Sequence, residues 1–177
     1  MVNMVLKSRF RKNVDNGFRN IQLKPRIAVV TACGRGKDSA PSPAWKLYKS
    51  SRIKMLYRNS KNYDLYILTA KYGLIKANEI IEPYNEIMNK EKAEKFAVEV
   101  AKKLNSYDYV VYYKCGANQN YLECIKKACD ISKKTLITCG FNMVGGINDV
   151  PLLVDYLLNG EIEKIKQIEH ASFYNFY

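Results

Sequence analysis

"RIAVVTACGRGKDSAPSPAWKLY", residues 26–48, is the stretch on which the fold turns. Residues 26–32 form a short apolar, β-branched run, the pattern of a strand buried on both faces. That run leads directly into Cys33, Gly34, Arg35, Gly36, Lys37, Asp38 and Ser39. A structural turn needs one or two of these residue types, not nearly all of them. A helix is expected from Ala44 to Tyr57, opening just after Pro43. A buried strand, a chemically loaded loop and a helix in that order make the first unit of a parallel α/β fold.

The unit recurs along the chain. Residues 63–70 (YDLYILTA) read as a second buried strand, stopped by the Tyr72-Gly73 turn, and residues 107–113 and 134–139 as the third and fourth. Asn89 to Leu104 is an amphipathic helix, with Ala93, Phe96, Ala97, Val100, Ala101 and Leu104 spaced by three and four. Further helices are expected over Asn118–Ala128, Pro151–Leu158 and Glu161–Ile168. The chain ends in FYNFY, which either docks on a surface or frays. Strands alternating with helices of this length imply crossover connections. The expected architecture is therefore α/β, a three-layer sandwich around a four-stranded, mostly parallel sheet with right-handed crossovers. Residues 25–160 would form the domain, 1–24 a basic N-terminal arm, and 161–177 a C-terminal helix and aromatic tail.

With 177 residues, 47% hydrophobic and 26% charged, the composition is that of a globular protein with room for one sizeable core. No apolar run approaches the roughly 18 residues a membrane helix needs. The start MVNMVLKSRFRKN lacks the continuous apolar segment of a secretory leader, so a cytoplasmic location without a membrane partner is expected. Five cysteines, an odd number, then argue against a disulfide framework. There is no Cys-x-x-Cys pair and His170 is the single histidine, which excludes a zinc finger or a His-rich metal site.

The net charge of +12 is unevenly spread. Lys7, Arg9, Arg11, Lys12, Arg19, Lys24 and Arg26 stand against Asp15 alone, seven positives less one negative, or half of the total. Two readings of this arm are open. It is either a solvated basic segment or an electrostatic footprint for RNA or DNA, with Phe10, Phe18 and Ile21 interleaved among the charges.

In open parallel sheets, ligands bind beyond the carboxyl ends of the strands. There this sequence places Cys33 to Ser39, then Lys71, Tyr72 and Gly73, then Lys114 to Asn120, then Cys139 and Gly140 with Asn142, Gly145 and Gly146 behind. Gly34 and Gly36 would let a ligand approach the backbone, and Arg35 and Lys37 would favour an anion. The spacing is not that of a Walker loop. A cysteine beside Arg35 and Lys37 is expected to be rich in thiolate and able to attack an electrophilic carbon, with Lys37 or Lys71 stabilising the charge that develops. Trp45 or Tyr72 would stack on a base, Tyr84 and Glu82 would join a polar cluster near Lys71, and Gly116 and Asn118 would flank the site, Asn118 also as a helix N-cap. Cys124 and Cys129 lie within a helix and read as structural.

Cys-x-x-x-Lys after the first strand, "APSPAWKLYKS" (40–50), "DLYILTAKYGLI" (64–75) and "IEPYNEIM" (81–88) resemble a family of small α/β domains of poorly defined function. That family's pattern is a Cys-x3-Lys loop, an Ala-Pro-Ala-x-x-Leu-Tyr helix start, an Ala-Lys-(Tyr/His)-Gly-Leu strand end and a Pro-Tyr-(Asp/Asn) segment. "YVVYYKCGANQNYLECI" (109–125) occupies the place of its Gly-x-x-Tyr segment. More distantly, Cys33, Lys37 and Ser42 resemble the signature Pro-Cys-x3-Lys-Pro-Tyr-x2-Ser-x2-His of the archaeosine synthase core, which modifies a 7-deazaguanine base in tRNA. Ala32, Asp38-Ser39 and Trp45 depart from its Pro, Pro-Tyr and His. This likeness implies a reactive loop associated with nucleic-acid bases and adds Ser42 to the catalytic candidates.

The leading expectation is a nucleobase- or nucleotide-directed enzyme or enzyme subunit, a transferase or lyase with a cysteine nucleophile, acting in RNA or DNA metabolism and favouring tRNA. Cys33, Lys37, Ser42 and Lys71 would be catalytic. Gly34, Arg35, Gly36, Ser39, Trp45, Tyr72, Gly73, Tyr84, Gly116 and Asn118 would bind substrate. One alternative is a non-catalytic nucleic-acid-binding module. Another is a metal or iron–sulfur protein in which Cys33, Cys115 and Cys139 meet as three thiolates. The cofactor stays unassigned, and a protein partner stays open.

Overall fold

A computed structural model describes residues 23–140, 147–168 and 171–176. The basic arm, Asn142, Gly145, Gly146 and His170 lie outside the described residues, apart from the end of the arm at Leu23 and Lys24.

The elements in chain order are β1 (Ile27–Ala32), β2 (Ser42–Pro43), α1 (Ala44–Leu47), α2 (Ser51–Arg58), β3 (Asp64–Thr69), β4 (Gly73–Lys76), β5 (Ile80–Ile81), α3 (Lys90–Leu104), β6 (Tyr109–Lys114), α4 (Gln119–Ser132), β7 (Thr135–Gly140), α5 (Val150–Leu158), α6 (Ile162–Lys166) and β8 (Ser172–Tyr174). A six-stranded sheet runs in the order β4-β3-β1-β6-β7-β8. The four expected strands, β3, β1, β6 and β7, are its parallel centre. Antiparallel β4 and β8 close the two edges, so the sheet has six strands where four were expected. The reason is local. Gly73–Lys76 doubles back on β3 through a tight turn, and the aromatic tail pairs with β7 instead of fraying.

β1 is buried along its whole length because it has parallel neighbours on both sides and helices on both faces. Ala28, Val30 and Ala32 face a core built with Ala97, Val100 and Leu104 of α3 and Leu122, Ile125 and Ala128 of α4. Ile27 and Val29 face the opposite core, with Leu47, Ile53, Leu56, Leu153, Leu157 and Ile165 of α1, α2, α5 and α6. The segment after residue 160 is thus part of the same packing.

Each long helix starts at a side-chain cap. Asn89 Oδ1 accepts from the Lys92 N–H at 2.8 Å to open α3, and Asn118 Oδ1 accepts from the Asn120 N–H at 3.0 Å to open α4. The helix expected over Ala44–Tyr57 is two pieces. Tyr48 leaves α1 in an extended conformation and bridges to Lys37, and Ser50 caps α2 anew by accepting from the Ile53 N–H.

The order of the parallel strands fixes where a ligand belongs. From β1 the chain crosses to β3 on one face, then returns past β1 to β6 on the other. The sheet therefore has its switch point between the carboxyl ends of β1 and β6, where neighbouring connections diverge and leave a crevice.

Gly140 ends β7 at φ +121°, and a Cβ there would stand 2.6 Å from the Lys114 carbonyl oxygen. Gly116 has nothing within 4 Å. Gly140→Ala is therefore expected to cost about 3 kcal/mol in urea unfolding, while Gly116→Ala stays within about 0.5 kcal/mol of the parent.

Candidate functional site

A cleft of about 820 Å³ opens at that switch point. The loop after β1 supplies Cys33, Gly34, Arg35 and Lys37. The segment after β6 supplies Cys115, Gly116, Ala117, Asn118 and, from the first turn of α4, Tyr121. Ser51, Arg52 and Met55 of α2 form one side, and Asn85, Glu86 and Ile87 the other. The volume is in the range of sites that enclose a small molecule or one nucleotide unit.

The β1 loop is held in place by backbone hydrogen bonds. The Lys49 N–H donates to the Gly36 carbonyl at 2.9 Å, and the Asp38 N–H to the Leu47 carbonyl at 2.9 Å. Neither Gly34 nor Gly36 has the left-handed backbone of an anion nest, and a Cβ at either would meet only ordinary contacts. Positive charge at this loop comes from side chains.

Cys33 is half-buried, and its Sγ shares a hydrogen bond with the Tyr121 hydroxyl at 3.2 Å. Tyr84 lies beside it and shares a 2.7 Å hydrogen bond with the hydroxyl of fully buried Tyr48. Tyr72 packs edge-on against Tyr84, with ring centres 5.5 Å apart. The Lys37 ammonium sits 4.4 Å from the Tyr84 ring centre and 5.7 Å from that of Tyr48. Burial pushes the Tyr48, Tyr84 and Tyr121 phenols well above their ordinary value, and proximity to Cys33 adds to the rise in each. The wall behind the thiol is thus a set of neutral hydroxyls.

Arg52 was not among the expected site residues. Its Nη1 donates to Thr31 Oγ1 and, at 3.0 Å, to the Ala32 carbonyl, which fixes the guanidinium at the end of β1. Thr31 in turn donates to the Tyr113 carbonyl at 3.2 Å, tying Arg52 to both strands of the switch point. Among the described residues Glu86 is the one acid lining the cleft, and it is engaged by Lys92 in a hydrogen bond that holds its carboxyl below the usual range.

Of the expected site residues, Cys33, Gly34, Arg35, Lys37, Gly116 and Asn118 line the cleft. Tyr72 and Tyr84 stand behind it in the tyrosine cluster. The others lie elsewhere. Lys71 is exposed, with its ammonium 5.2 Å from the Tyr72 ring centre. Gly73 turns the chain at φ +68° beneath the Phe96 ring, a structural need. Trp45 stacks on Tyr57 at 4.5 Å. Ser39 is exposed in the loop. Ser42 pairs with Ile81 in the small β2–β5 ribbon, its hydroxyl buried without a partner. The sequence offered a trace of Tyr121 in the segment at the Gly-x-x-Tyr position, and a trace of Arg52 in a cation standing in a helix's first turn, where the peptide dipoles disfavour it.

Sheet register does not place the three cysteines of the three-thiolate reading at one level. Thr31 pairs with Tyr113, so two residues on Cys33 falls level with Cys115. Cys139, however, pairs with Tyr113 and lies two residues lower. Among the described residues no group of three His, Cys, Asp or Glu side chains is placed to hold a metal ion.

Residues 27–139, more than half of the chain, match the family described as "Family of unknown function (DUF6884)". The chain belongs to that family. No curated protein and no solved structure matches it. The matched region contains the parallel centre except the last residue of β7, Gly140, and all of the cleft lining except Ile147. It contains no helix long and apolar enough to cross a membrane, nor do the other described residues.

Two outcomes are expected. With an excess of iodoacetamide at neutral pH, peptide mass spectrometry should find Cys33 and Cys115 alkylated first, because burial pushes Cys124, Cys129 and Cys139 up to about 12. Equal labelling of all five would contradict the cleft as drawn. In alkali, the raised phenols keep their protons in the folded state while those of the unfolded chain are lost near 10.0. Stability is therefore complete below about pH 10 and falls as pH rises beyond it, so absorbance at the phenolate band should rise together with unfolding.

Proposed function

We propose that this chain is a nucleobase- or nucleotide-directed enzyme or enzyme subunit of RNA or DNA metabolism, with tRNA the favoured partner. The observation that carries the reading is one cleft at the switch point lined by two thiols, Cys33 and Cys115, two tyrosines, Tyr113 and Tyr121, and three cations. Planar bases suit an aromatic wall, and phosphates suit cations. The spacing of Cys33, Lys37 and Ser42 shared with the archaeosine synthase core supports the same class, although Ser42 stands outside the cleft and leaves Cys33 and Lys37 to carry the likeness.

In this reading the Cys33 thiolate attacks an electrophilic ring carbon. An S–C bond forms, and the electron pair moves to a ring or exocyclic heteroatom. Lys37, held over Tyr84, supplies positive charge on that side, and the Tyr121 hydroxyl orients the sulfur. The bond that breaks is the π bond to that heteroatom, which takes up a proton from solvent in exchange for the one the thiol has already lost. A second reading, a non-catalytic nucleic-acid-binding module, is favoured by the way the Lys37 ammonium is committed to the Tyr84 and Tyr48 rings.

Cys33→Ser separates the two. Intact-mass analysis of the protein incubated with unfractionated tRNA should show a covalent adduct that this variant lacks, while its tRNA affinity and salt dependence stay those of the parent. If the parent forms no adduct and leaves the nucleoside composition of the RNA unchanged, the binding module is the better reading. Deleting residues 1–22 should flatten the slope of log affinity against log salt by about 0.7–0.9 for every phosphate that the arm neutralises. An unchanged slope would leave the arm without a role in binding.

A further inference from the structure

The cleft has a charge imbalance that the thiol chemistry does not use. Arg35, Lys37 and Arg52 line it, and the one acid in its lining among the described residues, Glu86, is already engaged by Lys92. Lys37 is committed to the rings of Tyr84 and Tyr48. Arg35 is exposed on the loop, and neither it nor Arg52 has a carboxylate partner among the described residues.

Arg52 is the more telling of the two. Both hydrogen bonds it makes to the protein leave from Nη1, to Thr31 Oγ1 and the Ala32 carbonyl. The guanidinium is thereby immobilised, with Nη2 and Nε remaining as donors. Its acceptors are neutral, so the charge itself is not compensated. It also stands in the first turn of α2, which contains no acidic residue. An arginine fixed in place, partly buried, without a carboxylate partner and lining the same cleft as a second such arginine is arranged for an anion that arrives from outside. Paired donors in a fixed plane match phosphate oxygens better than a flexible ammonium does.

We propose that Arg52, together with Arg35, is the phosphate seat of this cleft, so that its ligand is a phosphorylated nucleotide rather than a free base or nucleoside. This rests on the nucleobase-directed reading above and narrows its substrate class. The phosphate sits at the α2 side of the cleft, against Ser51 and the end of β1. The rest of the cleft, toward Cys33, Tyr121 and Ala117, is left for the base.

The test is isothermal titration of the full chain with the four ribonucleoside 5′-monophosphates, the four ribonucleosides and inorganic phosphate. At least one monophosphate is expected to bind about tenfold or more tightly than its nucleoside. Arg52→Met should remove that advantage while leaving nucleoside binding as it was. Arg35→Ala, on an exposed loop and harmless to the fold, should remove part of it. Circular dichroism of Arg52→Met checks folding, and Arg35→Ala carries the test if that variant unfolds. Nucleosides binding as well as monophosphates, with both variants silent, would overturn the phosphate seat and leave the nucleobase reading standing. Inorganic phosphate binding as tightly as any monophosphate, with both variants weakening it, would support the seat and overturn the nucleobase reading. Absence of binding by every one of these ligands would overturn both.

Discussion

The double parallel pairing of β1 is the constraint on which the rest depends. Ile27–Ala32 bonds to β3 on one side and β6 on the other, and its side chains feed both cores alternately. A strand so placed cannot slip by one residue without exchanging its two faces. Because the connection to β3 runs over one face and the return to β6 over the other, the loop after β1 has no helix crossing above it. The crevice follows from topology before any of its residues is chosen.

What fills the crevice shows two separate electrostatic regimes. Around Cys33 the neighbours are phenols that burial keeps neutral, tied together by the Tyr48–Tyr84 and Cys33–Tyr121 hydrogen bonds. Around Arg52 the acceptors are a threonine hydroxyl and a peptide carbonyl. The first regime suits an uncharged aromatic group and the second an anion, and the two adjoin at the end of β1, where Arg52 holds the carbonyl of Ala32, the residue before Cys33. A ligand carrying both characters would meet the two together, which is the reasoning behind the nucleotide proposed for the cleft.

The parallel centre of the fold was legible because buried parallel strands are continuous apolar runs, and 27–32, 64–70, 108–113 and 135–139 are such runs. The edges were not, since an edge strand of three or four residues has neither length nor periodicity to announce it. Gly73–Lys76 looks like the end of a turn and Ser172–Tyr174 like a tail. The break at Tyr48–Ser50 was hidden for a different reason. The sequence there is compatible with helix, and it is the long-range bridge from Lys37 to Tyr48 that pulls the backbone out of it. In the site, residues next to strand ends were found because topology places them: Cys33, Arg35, Lys37, Gly116 and Asn118. Arg52 and Tyr121 come from helix faces, and their direction depends on how α2 and α4 dock. Trp45 and Lys71 show the converse, in which a chemically attractive residue is not part of the cleft lining: Trp45 stacks on Tyr57, and Lys71 acts on the cleft only through its charge on Glu86.

Sheet register explains how many thiols the cleft can use. A count of cysteines at strand ends gives three, one each after β1, within β6's exit and at the end of β7. Parallel strands align residues by pairing, not by where each strand stops, and β7 reaches level with Lys114 only at Gly140. Cys139 is therefore held a step below the rim, half-buried against the core with Tyr113 as its partner in register, while Cys33 and Cys115 stand level with one another at the opening. Two thiols without a third ligand are poorly suited to hold a metal ion, and their difference in setting divides the work. Cys33 has the Tyr121 hydroxyl and the Lys37 loop beside it, and Cys115 lies across the switch point on the segment leading to the α4 cap. The same offset thus leaves Cys33, hydrogen-bonded to the Tyr121 hydroxyl, as the thiol on which the proposed chemistry would rest.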